Sequence, residues 1–210
     1  MKEEHVTGIL LAAGSSRRMG QHKLALPLGT STVGSMSLRA ATRSSLQQTL
    51  VVTKTLDPLE WLLPERLEEQ KRWETIRSRF AERGQSYSLR SGVQAAEDRK
   101  AEAVMVLLGD QPLFPSAWID ELIHQHIRSQ PDFTASSIGG KIRPPVIFSR
   151  RLFSSLKQIR GDKGARQLLK SLPSGAGITV SFRDEKAFYD VDTKEEYEWL
   201  LNDMPVPFLT

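Results

Sequence analysis

Three uninterrupted apolar runs mark the first half of the chain, at residues 8–13, 49–53 and 103–108. A strand buried on both faces is apolar at successive positions, whereas a strand with one solvated face alternates between apolar and polar residues. We therefore predict three buried β-strands here. Shorter apolar runs at residues 146–148 and 177–182 predict two more strands in the less regular second half.

Stretches of helical character lie between and after these runs. Predicted helices cover residues 35–46, 59–72, 88–97, 116–128, 165–171 and 193–201. At the start of the last one, Thr193 and Glu196 have the spacing of a capping box, in which each side chain accepts the other's backbone N–H. Strands that alternate with helices are typical of a parallel sheet with covering helices, so the pattern predicts an α/β fold.

The length of 210 residues favours one α/β domain, because the chain has no internal repeat, low-complexity tract or flexible linker. We assign residues 1–202 to this domain and residues 203–210, which include two prolines, to a C-terminal tail. A composition of 39% hydrophobic and 26% charged residues excludes general disorder.

Composition also narrows the function. The absence of cysteine excludes disulfides, thiolate zinc sites, iron–sulfur clusters and cysteine nucleophiles. The net charge of +4 comes from interleaved basic and acidic residues, so we expect no nucleic-acid partner, although an anionic small molecule would suit it. There is no secretory signal and no run approaching the roughly 18 apolar residues of a spanning helix, so we expect a soluble, cytoplasmic protein without a membrane partner.

A loop of small and basic residues follows the first predicted strand. These residues are Ala12, Ala13, Gly14, Arg17, Arg18 and Lys23. The small residues would let a phosphate or nucleobase approach the backbone, and the basic ones would supply charge to a polyphosphate. Ligands of α/β sheets bind beyond the carboxyl ends of strands, where this loop begins. It matches neither the GxGxxG fingerprint nor the P-loop, and alone it could be a basic surface turn.

Acidic residues follow in two later loops. Asp110 comes just after the predicted strand at residues 103–108, and Asp190 and Asp192 precede the last predicted helix. Magnesium binds carboxylate oxygens together with substrate phosphates and water, so two aspartates facing a basic loop would outline a phosphoryl- or nucleotidyl-transfer site. Structural alternatives remain: Asp110 could belong to a plain turn, and one of the later pair could only cap the helix.

Five short stretches, taken in order, carry a family resemblance. They are residues 11–20 (LAAGSSRRMG) with Lys23, residues 84–92, residues 108–112, residues 143–148 with 161–166, and residues 190–193. Together they closely resemble the MobA-like nucleotidyltransferases, particularly the molybdenum-cofactor cytidylyltransferase branch that serves xanthine-dehydrogenase-type enzymes. The resemblance implies Mg²⁺-dependent transfer of a nucleoside monophosphate, with CMP from CTP favoured, to the terminal phosphate of molybdopterin or molybdenum cofactor, with release of pyrophosphate.

The same resemblance implies a fold and a set of site residues. The fold would be a single-domain, Rossmann-like three-layer sandwich with a mostly parallel central sheet, of the nucleotide-diphospho-sugar transferase type. Catalytic roles would fall to Arg18, Lys23 and Asp110, and Mg²⁺ would be held by Asp110 and Asp192. The nucleotide would be bound by Leu11, Ala12, Ala13, Gly14, Ser15, Ser16, Arg18, Lys23, Ser88, Arg90 and Asp110. The acceptor would be bound by Pro145, Asp162, Lys163, Gly164 and Arg166.

Ala13 bears on the choice of nucleotide. Relatives that use GTP tend to have a second glycine at this position, whereas Ala12-Ala13-Gly14 resembles the cytidylyl branch. The chain also departs from the family pattern at Pro144, at residues 30–34 and over residues 54–83, where the usual Asn-Pro is missing.

Three alternatives stay open at this point. The enzyme could use GTP, or it could use another phosphorylated acceptor such as a sugar, a polyol or phospholactate. It could also be a non-catalytic chaperone that loads cofactor into a partner molybdenum hydroxylase. The presence of Arg18, Lys23, Asp110 and Asp192 together favours an active enzyme.

Overall fold

The computed structural model describes residues 5–14, 19–63, 72–161 and 164–203. Its strands are β1 (Val6–Leu11), β2 (Pro27–Leu28), β3 (Ser31–Thr32), β4 (Gln48–Lys54), β5 (Trp73–Ser78), β6 (Ala103–Leu108), β7 (Phe133–Ile138), β8 (Lys141–Ser149) and β9 (Gly177–Ser181). Its helices are α1 (Val33–Arg43), α2 (Gln85–Asp98), α3 (Ser116–Ser129), α4 (Phe153–Gln158), α5 (Arg166–Ser171) and α6 (Lys194–Asp203).

Seven strands form a central sheet in the order β5-β4-β1-β6-β8-β7-β9, while β2 and β3 form a separate hairpin. Only β8 runs against the others of the central sheet, so the predicted, mostly parallel α/β sheet is confirmed. After β1 the chain builds outward through β4 and β5, and it then returns to place β6 on the other side of β1. The carboxyl ends of β1 and β6 therefore flank a topological switch point, where sheets of this kind bind ligands.

Two hydrophobic clusters cover the two faces of the sheet. On β6, Met105 packs in one cluster with residues of α1, α3 and α6, while Val104 and Val106 pack in the other with residues of α2 and α4. Neighbouring strand residues point to opposite faces, so the sheet is the middle one of three layers. Gly92 brings α2 close to β1, because a Cβ atom there would lie 2.5 Å from Ile9 Cγ2.

All five predicted strands are present, but β5 and β7 of the central sheet and the short hairpin of β2 and β3 were missed. Buried polar residues occupy the middle of β7, and the hydroxyl of Ser136 donates to the carbonyls of Arg143 and Pro145. The prediction of a helix over residues 59–72 is wrong for residues 59–63, the described residues at its start. Residues 59–63 form a turn in which Asp57 Oδ1 accepts the backbone N–H of Leu59, and residues 64–71 lie outside the described ranges.

The predicted capping box of α6 is confirmed. Thr193 Oγ1 accepts the N–H of Glu196 at 3.2 Å, and Glu196 Oε2 accepts the N–H of Thr193 at 2.8 Å. The cap is thus Thr193 and neither of the two preceding aspartates, whose side chains face elsewhere. The proposed domain boundary at residue 202 stays a prediction, and residues 204–210 lie outside the described ranges. Within those ranges no helix has the length and apolarity needed to cross a membrane.

His126 on α3 gives the fold a testable pH dependence. It is fully buried, its Nδ1 lies 2.9 Å from Thr134 Oγ1, and burial, helped by the charge of Arg151, lowers its pKa from 6.5 to about 4. The unfolded chain therefore binds this proton more readily than the folded one. The free energy of unfolding should fall as the pH drops from about 6.5 to about 4, by about 3 kcal/mol in total.

Denaturant titrations at several pH values between 7 and 4 check this expectation. His126→Gln should lose this part of the pH dependence, while His124→Gln, a change at an exposed histidine of the same helix, should retain it. If the free energy of unfolding fell equally with pH in the wild type and in His126→Gln, His126 would not be the source of this pH dependence.

Candidate active site

An open cleft of about 590 Å³ lies at the carboxyl ends of β1 and β6. One wall is formed by residues 11–14, at the carboxyl end of β1, and another by residues 81–85, which lead into α2. Glu82 and Arg83 contribute charge from the second wall, and four further charged side chains line the cleft between the walls. They are Lys23, Asp110, Asp190 and Asp192.

The loop after β1 presents mainly backbone to this cleft. Ala12 and Ala13 are buried and Gly14 has no side chain, and the N–H of Ala12 donates to Val52 O at 2.8 Å. The predicted nucleotide residues Leu11, Ala12, Ala13 and Gly14 all line the cleft. Ser15, Ser16 and Arg18 lie outside the described ranges, so their predicted roles stay predictions.

Lys23 joins the two predicted metal ligands. Its Nζ hydrogen-bonds to Asp110 Oδ2 and lies 2.7 Å from Asp192 Oδ1. The exposed fractions of the three side chains are 11% for Lys23, 19% for Asp110 and 38% for Asp192. Burial alone would lower the pKa of Lys23, but the charges and hydrogen bonds of the two aspartates outweigh it and raise that pKa, so the ammonium stays protonated at neutral pH.

Backbone hydrogen bonds hold the two acidic loops together. The N–H of Val191 donates to the carbonyl of Asp110 at 3.0 Å, which places Asp190 and Asp192 on either side of this contact. The next residue back, Gly109, donates its N–H to Leu11 O at 3.0 Å and so fixes the acidic loop against the end of β1. These contacts bring together Asp110 and Asp192, which are 82 positions apart in the sequence.

Asp190 adds a third carboxylate to the site. The sequence alone did not decide whether this residue belongs to the site or only caps the last helix. Its Oδ1 is buried and has no hydrogen-bond partner among the described residues. Burial, followed by the negative charge of Asp110, raises the pKa of Asp190 to about 6, and the Gln111 side chain acts in the opposite direction. Three carboxylates and one ammonium group therefore meet here, and additional positive charge would be stabilised among them.

Residues at the start of α2 form the opposite wall. Ser88, predicted to bind nucleotide, is buried and lines the cleft. Arg90 was also predicted to bind nucleotide, but it does not line the cleft. Its guanidinium donates to Ile159 O at 3.3 Å and lies over the ring of Tyr87. The reason is helical geometry, because two residues along a helix are separated by about 200°. Sequence reasoning missed Arg83 and Gln85, which line the cleft.

A second, largely apolar pocket of about 190 Å³ adjoins the cleft. Of the predicted acceptor residues, Gly164 and Arg166 line it, while Asp162 and Lys163 lie outside the described ranges. Pro145 does not line it. On β8 the residues that line this pocket are Ile142, Arg143, Pro144 and Val146, whereas Pro145 lines a small cavity on the other side of the sheet.

Residues 8–176 match the family model of the MobA-like NTP transferase domain. The chain belongs to this family. The purine catabolism protein PucB of Bacillus subtilis strain 168 is 41% identical over 201 residues, which are 94% of this chain and 97% of PucB. The family resemblance seen in the sequence is thus confirmed.

Solved structures agree with the fold of this MobA-like protein. A nucleotidyl transferase from Methanothermobacter matches with a TM-score of 0.76 and 19% identity, covering 94% of this chain and 96% of the other. Rv0371c of Mycobacterium tuberculosis, in a complex with manganese, matches with a TM-score of 0.69 and 21% identity, covering 95% and 100%. The Rossmann-like fold is therefore shown, and with the family model the chain is identified as a nucleotidyltransferase.

Proposed function

We propose that this MobA-like nucleotidyltransferase transfers CMP from CTP to the terminal phosphate of the molybdenum cofactor and releases pyrophosphate. The observation that carries this proposal is the convergence of Lys23, Asp110 and Asp192 in a cleft that opens beside a second, apolar pocket. A basic group among carboxylates suits a metal-bound triphosphate, and the neighbouring pocket offers room for a second substrate.

The reaction needs alignment more than covalent chemistry. An oxygen of the acceptor's terminal phosphate attacks the α-phosphorus of CTP, and a new P–O bond forms there. The bond from the α-phosphorus to the bridging oxygen breaks, and that oxygen leaves with the electron pair as part of pyrophosphate. A phosphate monoester is already ionised near neutral pH, so no strong general base is required. The protein must bring two anions together and balance the charge that develops.

Residues of the first loop would bind the nucleotide. The backbone of residues 11–14 allows close approach of base and ribose, and Ser88 lies across the cleft from it. We assign Lys23 and Arg18 to the phosphates of the leaving pyrophosphate. A point charge at this place stabilises both the bound triphosphate and the developing charge on the leaving group.

The carboxylates fit a divalent cation. Asp110 and Asp192 already hold the Lys23 ammonium between their oxygens, and Mg²⁺ takes oxygen ligands from one or two carboxylates together with substrate phosphates. We propose that these two residues hold Mg²⁺, although no cluster of three or more ligand side chains shaped around one ion is found in the described part of the chain. When bound, the cation would neutralise charge on the transferred phosphate.

The acceptor would occupy the pocket beside the cleft. Its walls are apolar, from Ile142, Pro144 and Val146, and Arg166 and Arg143 add positive charge. A flat pterin with a terminal phosphate suits this combination. We assign Gly164, Arg166, Asp162 and Lys163 to acceptor binding. The similarity to PucB supports a role in purine catabolism. We further propose a molybdenum hydroxylase as the recipient of the finished cofactor.

Pyrophosphate release with each of the four common NTPs, with and without molybdenum cofactor, tests the proposal. The expected result is Mg²⁺-dependent release that requires the cofactor and is fastest with CTP. If pyrophosphate is released with CTP and a sugar or polyol phosphate, but not with CTP and molybdenum cofactor, the proposed acceptor is wrong and the sugar or polyol phosphate takes its place. Absence of release with every pair would refute the proposed function.

Ala13 provides the prediction on nucleotide choice. Its buried methyl lies in the cleft wall, where it reduces the room for a purine base. One methyl in a pocket is worth about 1–3 kcal/mol, so the wild type should prefer CTP over GTP by about tenfold or more. Ala13→Gly should narrow this ratio in a competition assay. Ala25→Gly, a change outside the cleft, should leave it unchanged, and a wild type that prefers GTP would overturn the assignment.

A further inference from the structure

Gln85, the first residue of α2, lies where the two cavities meet. It lines the cleft and also the apolar pocket, a property it shares with Leu11 and Leu108. Both leucines are apolar. Among the described residues, Gln85 is therefore the polar side chain common to the two cavities, at the place where the two substrates of a transfer reaction must touch.

The backbone of the predicted acceptor segment lies directly against this side chain. Gly164 has a φ of +53°, and a Cβ atom at this position would overlap with Gln85 Oε1. A larger residue at position 164 would thus displace the carboxamide as well as strain the backbone. Gly164 and Gln85 fit each other, and they form the partition between the cleft and the pocket.

The carboxamide of Gln85 is available to ligands. It makes no hydrogen bond to another side chain or backbone group in the described ranges, and the residue is exposed to the cavities. A primary amide has two N–H donors and one carbonyl acceptor. It carries no charge, so it can donate to two phosphate oxygens without the repulsion that a carboxylate would cause at the meeting point of two anions.

We propose that Gln85 is a positioning residue that binds both substrates, with one N–H directed to the nucleotide and the other to the terminal phosphate of the acceptor. The proposal rests on the proposed function, because it assumes a phosphorylated acceptor in the apolar pocket. Its role is to hold the attacking oxygen near the α-phosphorus. Gln85 should therefore matter more for the encounter of the two substrates than for the binding of the nucleotide alone.

The test compares Gln85→Glu and Gln85→Ala with the wild type by two measurements. The first is the affinity for CTP in the absence of acceptor, measured by calorimetry. The second is kcat/KM for molybdenum cofactor at saturating CTP. Removal of a donor at a reacting phosphate typically costs about 10²–10³ in rate, so kcat/KM should fall by this amount, and further in Gln85→Glu than in Gln85→Ala. The CTP affinity of Gln85→Ala, which introduces no charge, should change by less than about threefold.

Two further variants complete the design. Gly164→Ala should reproduce the defect by displacing the carboxamide, and it should cost less in the Gln85→Ala background than in the wild type, because the contact with the carboxamide is already lost there and only the backbone strain remains. Gln167→Glu, at an exposed glutamine of α5 that lines neither cavity, is the matched control and should behave like the wild type.

The outcomes separate the two proposals. A Gln85→Glu variant with wild-type kcat/KM would overturn the assignment, and so would an equal loss of CTP affinity and of kcat/KM, since Gln85 would then serve the nucleotide alone. If the wild type releases pyrophosphate only with another phosphorylated acceptor, the proposed function fails, while the same comparison with that acceptor still decides the role of Gln85.

Discussion

Asp110→Asn should reduce Mg²⁺-dependent pyrophosphate release by at least about 10²–10³-fold. The substitution removes the charge that pairs with Lys23, and a neutral amide is a poorer ligand for a hard cation than a carboxylate. The fold should persist, because it is the backbone carbonyl of Asp110, and not its side chain, that accepts the N–H of Val191. Initial rates at saturating CTP measure the effect, and circular dichroism verifies folding.

The matched control is Asp98→Asn at the exposed end of α2, which lines neither cavity and should retain full activity. A folded Asp110→Asn protein with near-normal turnover would remove Asp110 from the active site. Loss of activity in both variants would point to a general charge effect and contradict the specific role.

Lys23→Met should have two effects of opposite sign. Turnover should fall by about 10²–10³-fold, because the charge facing the leaving pyrophosphate is lost. Affinity of the nucleotide-free protein for Mn²⁺ should rise, by about tenfold or more, because the ammonium no longer occupies the oxygens of Asp110 and Asp192 and leaves their repulsion unbalanced. Calorimetry with Mn²⁺ in the absence of nucleotide measures the second effect.

The wild-type protein should correspondingly bind the free cation weakly and bind it better together with CTP, whose phosphates offer Lys23 another partner. Lys141→Met, at an exposed lysine on β8, is the control and should change neither property. Unchanged or weaker Mn²⁺ binding by Lys23→Met would show that the lysine and the cation do not compete for the same carboxylates.

Much of the fold could be predicted because its central strands are buried on both faces and so are apolar throughout. Strand β7 could not be predicted from an apolar run, because three of its buried positions, Thr134, Ser136 and Ser137, are polar. The hydroxyls of Ser136 and Ser137 donate to backbone carbonyls of β8 and β9, and such hydrogen bonds leave no hydrophobic pattern in the sequence. β5 escaped prediction because it lies at the edge of the sheet and is half-exposed.

The candidate site divides in a similar way. Lys23, Asp110 and Asp192 could be proposed from the sequence, since each follows or precedes a recognisable element and has a charge suited to phosphate or metal. Asp190 and Gln85 could not be distinguished from their neighbours. Asp190 is distinguished by its burial beside other carboxylates, and Gln85 by its position between two cavities. Both properties arise only when distant segments of the chain pack together.

The hydrogen bond from Val191 to Asp110 determines when, during synthesis of the chain, the active site can be completed. The two strands that flank the site, β1 and β6, are complete by Leu108, yet Asp192 reaches Lys23 only when the segment before α6 docks. A nascent chain still missing that segment contains every strand of the sheet but lacks Asp190 and Asp192. We therefore expect the charges of the site, and with them turnover of nucleotide, to be completed only after all strands of the sheet have been synthesised, and a chain truncated before Val191 should be inert.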